Sequence, residues 1–419
     1  MAWVVIALLL VMIFIGMPIG FSLMISASIA MAMSDIDLIM APIQMLSGVN
    51  KVVLLAIPLF IFMGELMGAT SISERIINLA RAMVGWMRGG LAHVNVVTSM
   101  FMAEMSGSAV ADAAVMSKIF VPSMAKQGYP KPFAAAVTAT SATLGIIIPP
   151  SIPMVLYGVT TNTSIKDLFI AGIIPGILLG GAFMVTSYIF ARIEGHPVDK
   201  KFEVKRLGTA FWAAIVPLLI PVLVVGGLIG GFVTPTEAAT LGVVAALIFG
   251  WGMRRDLDSK KVYGLAATTV RQTSVVMMII AGSAVLGQFL ANEQIPQKIA
   301  EGLGELTDSF VLRMLLINMF LLFLGMFLHA SAAIIVVVPM LLPLSQQMGI
   351  DPVHFGVIVC LNLGIGQQTP PVASVLLTVC SATGLRIEQV MGYVKWYILA
   401  MFITLMIVSF IPITALALL

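Results

Sequence analysis

Apolar runs of about 18 residues or more recur along the whole chain of 419 residues, and they limit its possible folds more than any other feature. The sequence is 60% hydrophobic and only 10% charged, and its mean hydropathy is +1.09. Inside a bilayer the backbone polar groups must be satisfied within the protein, so such runs cross it as helices. The sequence therefore predicts an all-α polytopic membrane protein without room for a second domain.

Two of the apolar segments are interrupted by charged and small polar residues. Segment 91–117 is interrupted near Asp112, and segment 310–343 near His329. We interpret both as re-entrant helical hairpins that enter and leave on one side of the membrane. Each of the other apolar segments is expected to cross the membrane once: 2–32, 52–68, 132–162, 168–191, 210–231, 238–252, 265–290, 354–383 and 392–418.

A pattern of small polar residues followed by a proline-broken helix occurs twice in the chain. Residues 105–109 precede a break at 145–151, and residues 328–332 precede a break at 364–371; each break contains two consecutive prolines. Paired short or proline-interrupted segments in corresponding halves are typical of secondary transporters. The repeat therefore predicts two broken helices that meet two hairpins.

The basic residues fall mainly on one side of this predicted topology. Of the 22 Lys and Arg residues, 18 lie in loops of a single side, which the positive-inside rule places in the cytoplasm. The N-terminus is then cytoplasmic and the C-terminus lies on the opposite side. The first hairpin would open from the cytoplasm and the second from outside, which is an inverted repeat that supports alternating access.

Hydroxyls and free backbone carbonyls are concentrated at the hairpin tips and helix breaks. Proline removes an amide donor and frees the carbonyl one turn back, while glycine lets other groups approach closely. Oxygen atoms of this kind suit a hard cation such as Na⁺. The alternative is that Ser, Thr and Gly serve only for close helix packing. Because the pattern appears in both halves, a central ligand site is favoured.

Charged residues in apolar sequence leave more than one interpretation open. Asp112 is either a ligand or a polar brace, and His329 is a structural group, a proton-sensitive group or a substrate contact. Glu237 follows Thr234 in a pattern typical of a helix start. No zinc, nucleophile-elbow or Walker motif is present, so the chain is predicted not to be an enzyme and to use no cofactor.

The chain resembles the large membrane subunit of the tripartite ATP-independent periplasmic (TRAP) transporters, the DctM-like family, over essentially its whole length. The residues that carry the resemblance are Gly16-Met17-Pro18-Ile19, Ser106-Gly107-Ser108 with Ala111-Asp112, Gly128-Tyr129 with Phe133-Ala134-Ala135-Ala136, Gly145 to Pro153, Thr234-Pro235-Thr236-Glu237-Ala238-Ala239 and Gly366 to Pro371. Family members often carry an acidic residue at the position of His329.

The resemblance implies an elevator-type sodium symporter of the bacterial inner membrane. It also implies two partners, a small membrane subunit of about four spans and a periplasmic substrate-binding protein. The implied substrates are organic anions such as C4-dicarboxylates, sialic acid or other sugar acids. A stand-alone ion-coupled carrier and a passive channel are the alternatives.

The resemblance and the repeat together predict a domain organisation. Scaffold helices and a cytoplasmic arm occupy 1–90, the first transport repeat 91–191, further scaffold helices 192–309, the second transport repeat 310–391 and a terminal helix 392–419.

They also predict the site residues. The first Na⁺ site is assigned to Ser106, Ser108, Gly145, Ile148 and Pro149. The second Na⁺ site is assigned to Gly325, Gly366, Thr369 and Pro370. The side chains expected to face the substrate are those of Ser108, Ser151, His329 and Gln368.

Overall fold

A computed structural model describes residues 2–34, 36–106, 108–198, 202–253, 255–295, 297–298, 302 and 307–419. These residues form helices and no strand, apart from an isolated antiparallel bridge between Arg88 and Val198. The helices are α1 (Ala2–Phe14), α2 (Ile19–Met33), α3 (Met40–Val49), α4 (Ala56–Gly68), α5 (Ile72–Val84), α6 (Gly90–Ser106), α7 (Ala109–Lys126), α8 (Lys131–Ala142), α9 (Ile152–Thr161), α10 (Ile165–Ile193), α11 (Val204–Ile229), α12 (Pro235–Leu247), α13 (Ser259–Asn292), α14 (Phe310–Phe327), α15 (Ala330–Gln347), α16 (Pro352–Gly366), α17 (Ser374–Thr383), α18 (Ile387–Phe410) and α19 (Ile413–Leu416).

The prediction of an all-α polytopic membrane protein is confirmed. In the described part of the chain, 7 helices are long and apolar enough to cross a membrane. The number rises to 8 if α3 and the bent segment Val52–Gly68, which meet at 59°, form one span. Many large apolar side chains on these helices face outward, such as Trp212 at 73% exposure and Val222 at 61%. In a membrane protein such surfaces face lipid.

The N-terminal apolar segment differs from its prediction. Segment 2–32 was expected to cross the membrane once, but it forms the two helices α1 and α2, which pack against each other. Between them Gly16 has φ +91°, a conformation that favours glycine, and Pro18 precedes the first residue of α2. Helix α3 was also missed, because its ten residues are too few to form an apolar run of membrane length.

The two predicted hairpins and two predicted broken helices are present. Helices α6 and α7 pair around Ser108, and α14 and α15 meet at Leu328 and His329. The first broken helix consists of α8, a 3₁₀ turn over Thr143–Ile146 and α9. The second consists of α16 and α17. The peptide bonds Pro149-Pro150 and Pro370-Pro371 within the breaks are both cis.

Each half of the molecule packs against the other in the same way. Helix α7 of the first hairpin lies against α17 of the second broken helix, and α15 of the second hairpin lies against α9 of the first. The Tyr157 hydroxyl on α9 also donates to the Pro352 carbonyl at the start of α16, at 2.6 Å. The two hairpins and the two broken helices therefore form one interlocked unit.

Buried polar bonds join the first arm of each hairpin to the broken helix of its own half. The Asn95 amide on α6 donates to the Thr138 hydroxyl on α8 at 2.7 Å. The Asn362 amide on α16 donates to the Asn318 carbonyl oxygen on α14 at 2.9 Å, and the Asn318 amide donates to Ser409 at 3.1 Å. Side-chain bonds of this kind hold helices together where lipid gives no hydrophobic drive.

Candidate functional site

The tip of the first hairpin meets the first helix break at Gly145. A Cβ atom added to this glycine would lie 3.2 Å from the Asp112 Oδ2 atom, and 3.8 Å from both the Ala103 Cα and the Ala109 amide nitrogen. Asp112 is buried in the first turn of α7. Both arms of the hairpin therefore lie close to the break at Gly145, where an added methyl group would require the Asp112 carboxylate to shift slightly.

Consecutive prolines determine which backbone carbonyls are left over at this break. Pro149 and Pro150 have no amide hydrogen, so the carbonyls of Gly145 and Ile146 lose their donors one turn ahead. The Ser151 hydroxyl replaces one of them by donating to the Ile146 carbonyl at 2.5 Å. The Ile148 amide donates to Leu144 at 2.8 Å rather than to Gly145. Among the described residues no donor to the Gly145 carbonyl remains, so this oxygen is available for another ligand.

The remaining residues of the first predicted Na⁺ site lie around the same contact. Ser108 is the N-cap of α7, and its hydroxyl accepts from the Ala111 amide at 3.5 Å. Ile148 and Pro149 are buried within the break itself. Ser106 is the last residue of α6; its side chain and Gly107 lie outside the described residues.

The second hairpin meets the second break through two glycines. A Cβ atom added to Gly366 would lie 2.4 Å from both the Cα and the carbonyl carbon of Gly325. A Cβ atom on Gly325 would lie 3.1 Å from the Gly366 Cα and 3.3 Å from the Leu363 Cα. Helices α14 and α16 are therefore in backbone contact at the point where α16 ends.

The second break has a different set of available oxygens. The Gly366 carbonyl accepts from the Thr369 amide at 3.0 Å, and the Gln367 carbonyl accepts from the Val375 amide at 3.2 Å. The half-buried Thr369 hydroxyl donates to the Ile365 carbonyl at 3.0 Å, which leaves its lone pairs for a cation. Pro370, which follows, is also half-buried.

Two glutamines at the second break carry amide atoms that lack a protein partner. Gln368 is fully buried, and its amide nitrogen donates to the Ala139 carbonyl on α8 at 2.6 Å, which joins the two halves. Its carbonyl oxygen, and both amide atoms of Gln367, have no hydrogen bond with any described residue. Because an unsatisfied buried amide is costly, these atoms indicate a place for a ligand or water.

His329 lies at the junction of α14 and α15. The residue is exposed in the structure. Its side chain makes no hydrogen bond with a described residue, and so none with Ser151 or Gln368. In each half the structure thus brings the hairpin tip against the helix break, at Gly145 in the first half and at Gly366 in the second. We call these the tip–break contacts. His329 remains a separate exposed group.

Sequence reasoning omitted Gln367 from the site, although it stands beside the assigned Gln368. Its polarity inside an apolar helix end was the available signal. The interpretation of Glu237 as part of a helix start is confirmed, because its carboxylate accepts from the Thr234 amide at 2.8 Å in a capping box that opens α12. Glu65 accepts from the Gln272 amide at 2.8 Å and so joins α4 to α13.

Solved structures support the fold. The chain is similar to the YdaH transporter of Alcanivorax borkumensis, whose crystal structure was described as having an unusual topology. The TM-score is 0.57, the sequence identity is 17%, and the match covers 87% of this chain and 86% of that one. At this identity the likeness concerns the fold alone.

Three relatives resemble the chain over most of its length. The sialic acid TRAP transporter large permease protein SiaM of Vibrio cholerae is 38% identical, over 96% of this chain and 94% of its own. The C4-dicarboxylate TRAP transporter large permease protein DctM of Pseudomonas aeruginosa is 37% identical, over 87% and 86%. The 2,3-diketo-L-gulonate TRAP transporter large permease protein YiaN of Escherichia coli is 33% identical, over 95% and 94%.

The model of one protein family, described as the DctM component of the tripartite ATP-independent periplasmic transporter, matches residues 6–414. The helical membrane fold and these relatives agree with that match. The chain belongs to the DctM family of large permeases of TRAP transporters.

Proposed function

We propose that the chain is the sodium-coupled membrane subunit that imports an organic anion, such as a sugar acid or a C4-dicarboxylate, across the bacterial inner membrane. A periplasmic substrate-binding protein would deliver the anion, and a small membrane subunit would accompany the chain. The substrate class follows from relatives named for sialic acid, C4-dicarboxylates and 2,3-diketo-L-gulonate. The N-terminus would lie in the cytoplasm and the C-terminus in the periplasm, as the positive-inside rule requires.

The observation that carries the proposal is the pair of equivalent tip–break contacts. In each half a hairpin tip and a broken helix approach at a glycine, Gly145 in one and Gly366 in the other. Half-helix ends and unwound carbonyls of this kind coordinate Na⁺ in secondary transporters. A gradient of this ion would supply the free energy for uphill uptake, since the chain carries no Walker motif.

The two ion sites would use different oxygens. In the first site, the Gly145 carbonyl is free of a backbone donor because Pro149 has no amide hydrogen. This carbonyl would bind Na⁺ together with oxygens of Ser106 and Ser108. Ile148 would close the site. In the second, the Thr369 hydroxyl and the carbonyls near Pro370 would bind Na⁺, and Gly325 would let α14 approach.

The substrate would lie between the ion sites. Both amide atoms of Gln367 and the carbonyl oxygen of Gln368 are buried and have no hydrogen bond with a described residue, and His329 is exposed at the junction of α14 and α15. The Gln367 amide N–H and the His329 imidazole N–H would donate to a carboxylate, whereas the Gln368 carbonyl oxygen would accept from a substrate hydroxyl. On the side of the first half, the Ser108 hydroxyl would complete the contact, and the Ser151 hydroxyl, whose hydrogen goes to the Ile146 carbonyl, would accept from a substrate hydroxyl.

The movement would be that of an elevator. The hairpins and broken helices form one interlocked unit through the α7–α17 and α9–α15 contacts. Such a unit can move as a body past the helices that surround it, and occupied ion sites would hold its hairpins closed.

Sodium titration of substrate uptake tests the proposal. The chain, its small subunit and its binding protein are reconstituted in liposomes, and uptake is measured against external Na⁺. Thr369→Val removes one cation oxygen and keeps the side-chain shape, and we expect the half-saturating Na⁺ concentration to rise about tenfold. Ser108→Ala should act in the same direction.

Thr383→Val is the matched control. The Thr383 hydroxyl also donates to a carbonyl one turn back, at 2.7 Å, but it lies at the far end of α17. Its sodium titration should match that of the wild type. Wild-type uptake that is independent of the sodium gradient would reject the ion sites. So would sodium titrations of Thr369→Val and Ser108→Ala that match the wild type.

A further inference from the structure

A cavity lies between the α5–α6 junction and the end of α10. Its volume is about 350 Å³, and it is lined by Trp86, Met87, Arg88, Tyr188 and Arg192. These residues are remote in sequence from the hairpin tips and helix breaks. By the distribution of basic residues, the cavity lies at the cytoplasmic surface of the membrane.

Two guanidinium groups dominate the chemistry of this cavity. Arg192 lies over the Tyr188 ring, with 5.9 Å from its guanidinium carbon to the ring centroid. The guanidinium groups of Arg88 and Arg192 make no hydrogen bond or ion pair with a described residue. Glu194, the carboxylate next along the chain, is engaged by His196 at 3.0 Å. Planar guanidinium groups bind phosphate oxygens in pairs.

An apolar surface continues from the cavity along α10. Val185, Tyr188, Ile189 and Arg192 have the spacing that places residues on one helix face. Val185 is 60% exposed and Ile189 51% exposed. On the other side of the cavity the exposed Trp86 ring lies against Phe202, with 6.1 Å between ring centroids. Aromatic side chains of this kind lie at the level of lipid headgroups.

We propose that this cavity binds an anionic phospholipid, whose phosphate lies between Arg88 and Arg192 and whose acyl chains lie along Val185 and Ile189. The positive charge of the two guanidinium groups is complementary to the negative phosphate, and the exposed apolar face of α10 is complementary to the acyl chains. Basic pockets on the cytoplasmic side are suited to such headgroups. The lipid would join the start of the first hairpin to α10. This proposal does not depend on the identity of the transported anion.

Lipid binding to the full-length purified chain tests the proposal. Native mass spectrometry and thermal unfolding are measured in a neutral detergent with added phosphatidylglycerol, phosphatidylcholine or glycerol 3-phosphate. We expect phosphatidylglycerol to bind and to raise the unfolding temperature more than phosphatidylcholine does. Arg88→Gln with Arg192→Gln should weaken phosphatidylglycerol binding about tenfold, since both charge-assisted contacts are lost.

Arg206→Gln with Arg271→Gln is the matched control. It removes the same charge on the same predicted side of the membrane, outside the cavity, and should bind phosphatidylglycerol as the wild type does. Equal loss in both double variants would mean that only net charge matters and would overturn the site. Equal stabilisation by glycerol 3-phosphate, lost with Arg88 and Arg192, would replace the lipid with a free anion.

Discussion

Ser151 shows how a single side chain compensates for a missing backbone donor. Pro150 cannot donate to the Ile146 carbonyl, and the Ser151 hydroxyl does so instead. At the second break Pro371 leaves the Gln367 carbonyl in the same position, and there the Val375 amide takes over at 3.2 Å. The two halves therefore solve one problem with different donors.

Not all of this could be predicted at the level of residues. The sequence marked Ser151 and Gln368 as substrate contacts, because polar groups near a membrane helix break are functional candidates. It could not predict that the Ser151 hydroxyl points at a carbonyl, or that the Gln368 amide reaches Ala139 on another helix. Both depend on side-chain conformation and on packing between segments distant in sequence.

The buried His196 predicts how the stability of the fold depends on pH. It lies in the connection between α10 and α11, only 5% exposed, with ring centroids 4.7 Å from Tyr129 and 4.6 Å from Phe133. Burial lowers the pKa of His196, and the Glu194 carboxylate only partly opposes this. Below a pH of about 6.5 the unfolded chain takes up a proton that the folded chain resists, so acid destabilises the fold.

His196→Phe should remove this part of the acid sensitivity. We expect the unfolding temperature of the wild type, relative to the variant, to fall as the pH is lowered from about 8 to about 5.5. The other three histidines are common to both proteins, so the difference isolates His196. A difference that stays constant with pH would show that His196 does not titrate differently in the folded state.

At the scale of helices, the contact between α14 and α16 requires glycine on both sides, because the two backbones touch. Gly366→Ala would place a methyl group 2.4 Å from the Gly325 backbone, so the helices must separate. We expect the variant to lose about 1–3 kcal/mol of stability, as overpacked sites do. Thermal unfolding in detergent measures the loss.

Gly364→Ala is the control for this substitution. It lies two residues earlier on α16, where the nearest atom to an added Cβ would be the Ile146 Cδ1 at 3.6 Å, an ordinary contact. Its unfolding temperature should stay close to that of the wild type. Equal losses in the two variants would attribute the effect to α16 as a whole rather than to its contact with Gly325.

The pattern of elements could be predicted where proline pairs and polar tips interrupt long apolar runs. The prediction of a single crossing was wrong for segment 2–32, because a single glycine and proline inside an apolar run also fit a kinked continuous helix. Helix α2 packs against α13, and the sequence does not reveal that contact. The 59° bend between α3 and Val52–Gly68 was also missed, because the sequence does not reveal how these segments pack.

At the scale of the whole molecule, the orientation in the membrane is a prediction that labelling can check. In a background with Cys360→Ala and Cys380→Ala, Lys126→Cys and Gln347→Cys place thiols at the ends of α7 and α15. An impermeant maleimide should label position 347 from the periplasm and position 126 only in inverted vesicles. Labelling of both from one face would exclude oppositely directed hairpins.

The bond from Gln368 to Ala139 has a consequence for how ions would bind. It connects the residue beside one proposed cation position to the helix that leads into the other. Ordering of one half by Na⁺ should therefore lower the entropic cost of ordering the other. We expect positive cooperativity, measured as a Hill coefficient above one for sodium-induced thermal stabilisation, and Gln368→Leu should bring that coefficient towards one.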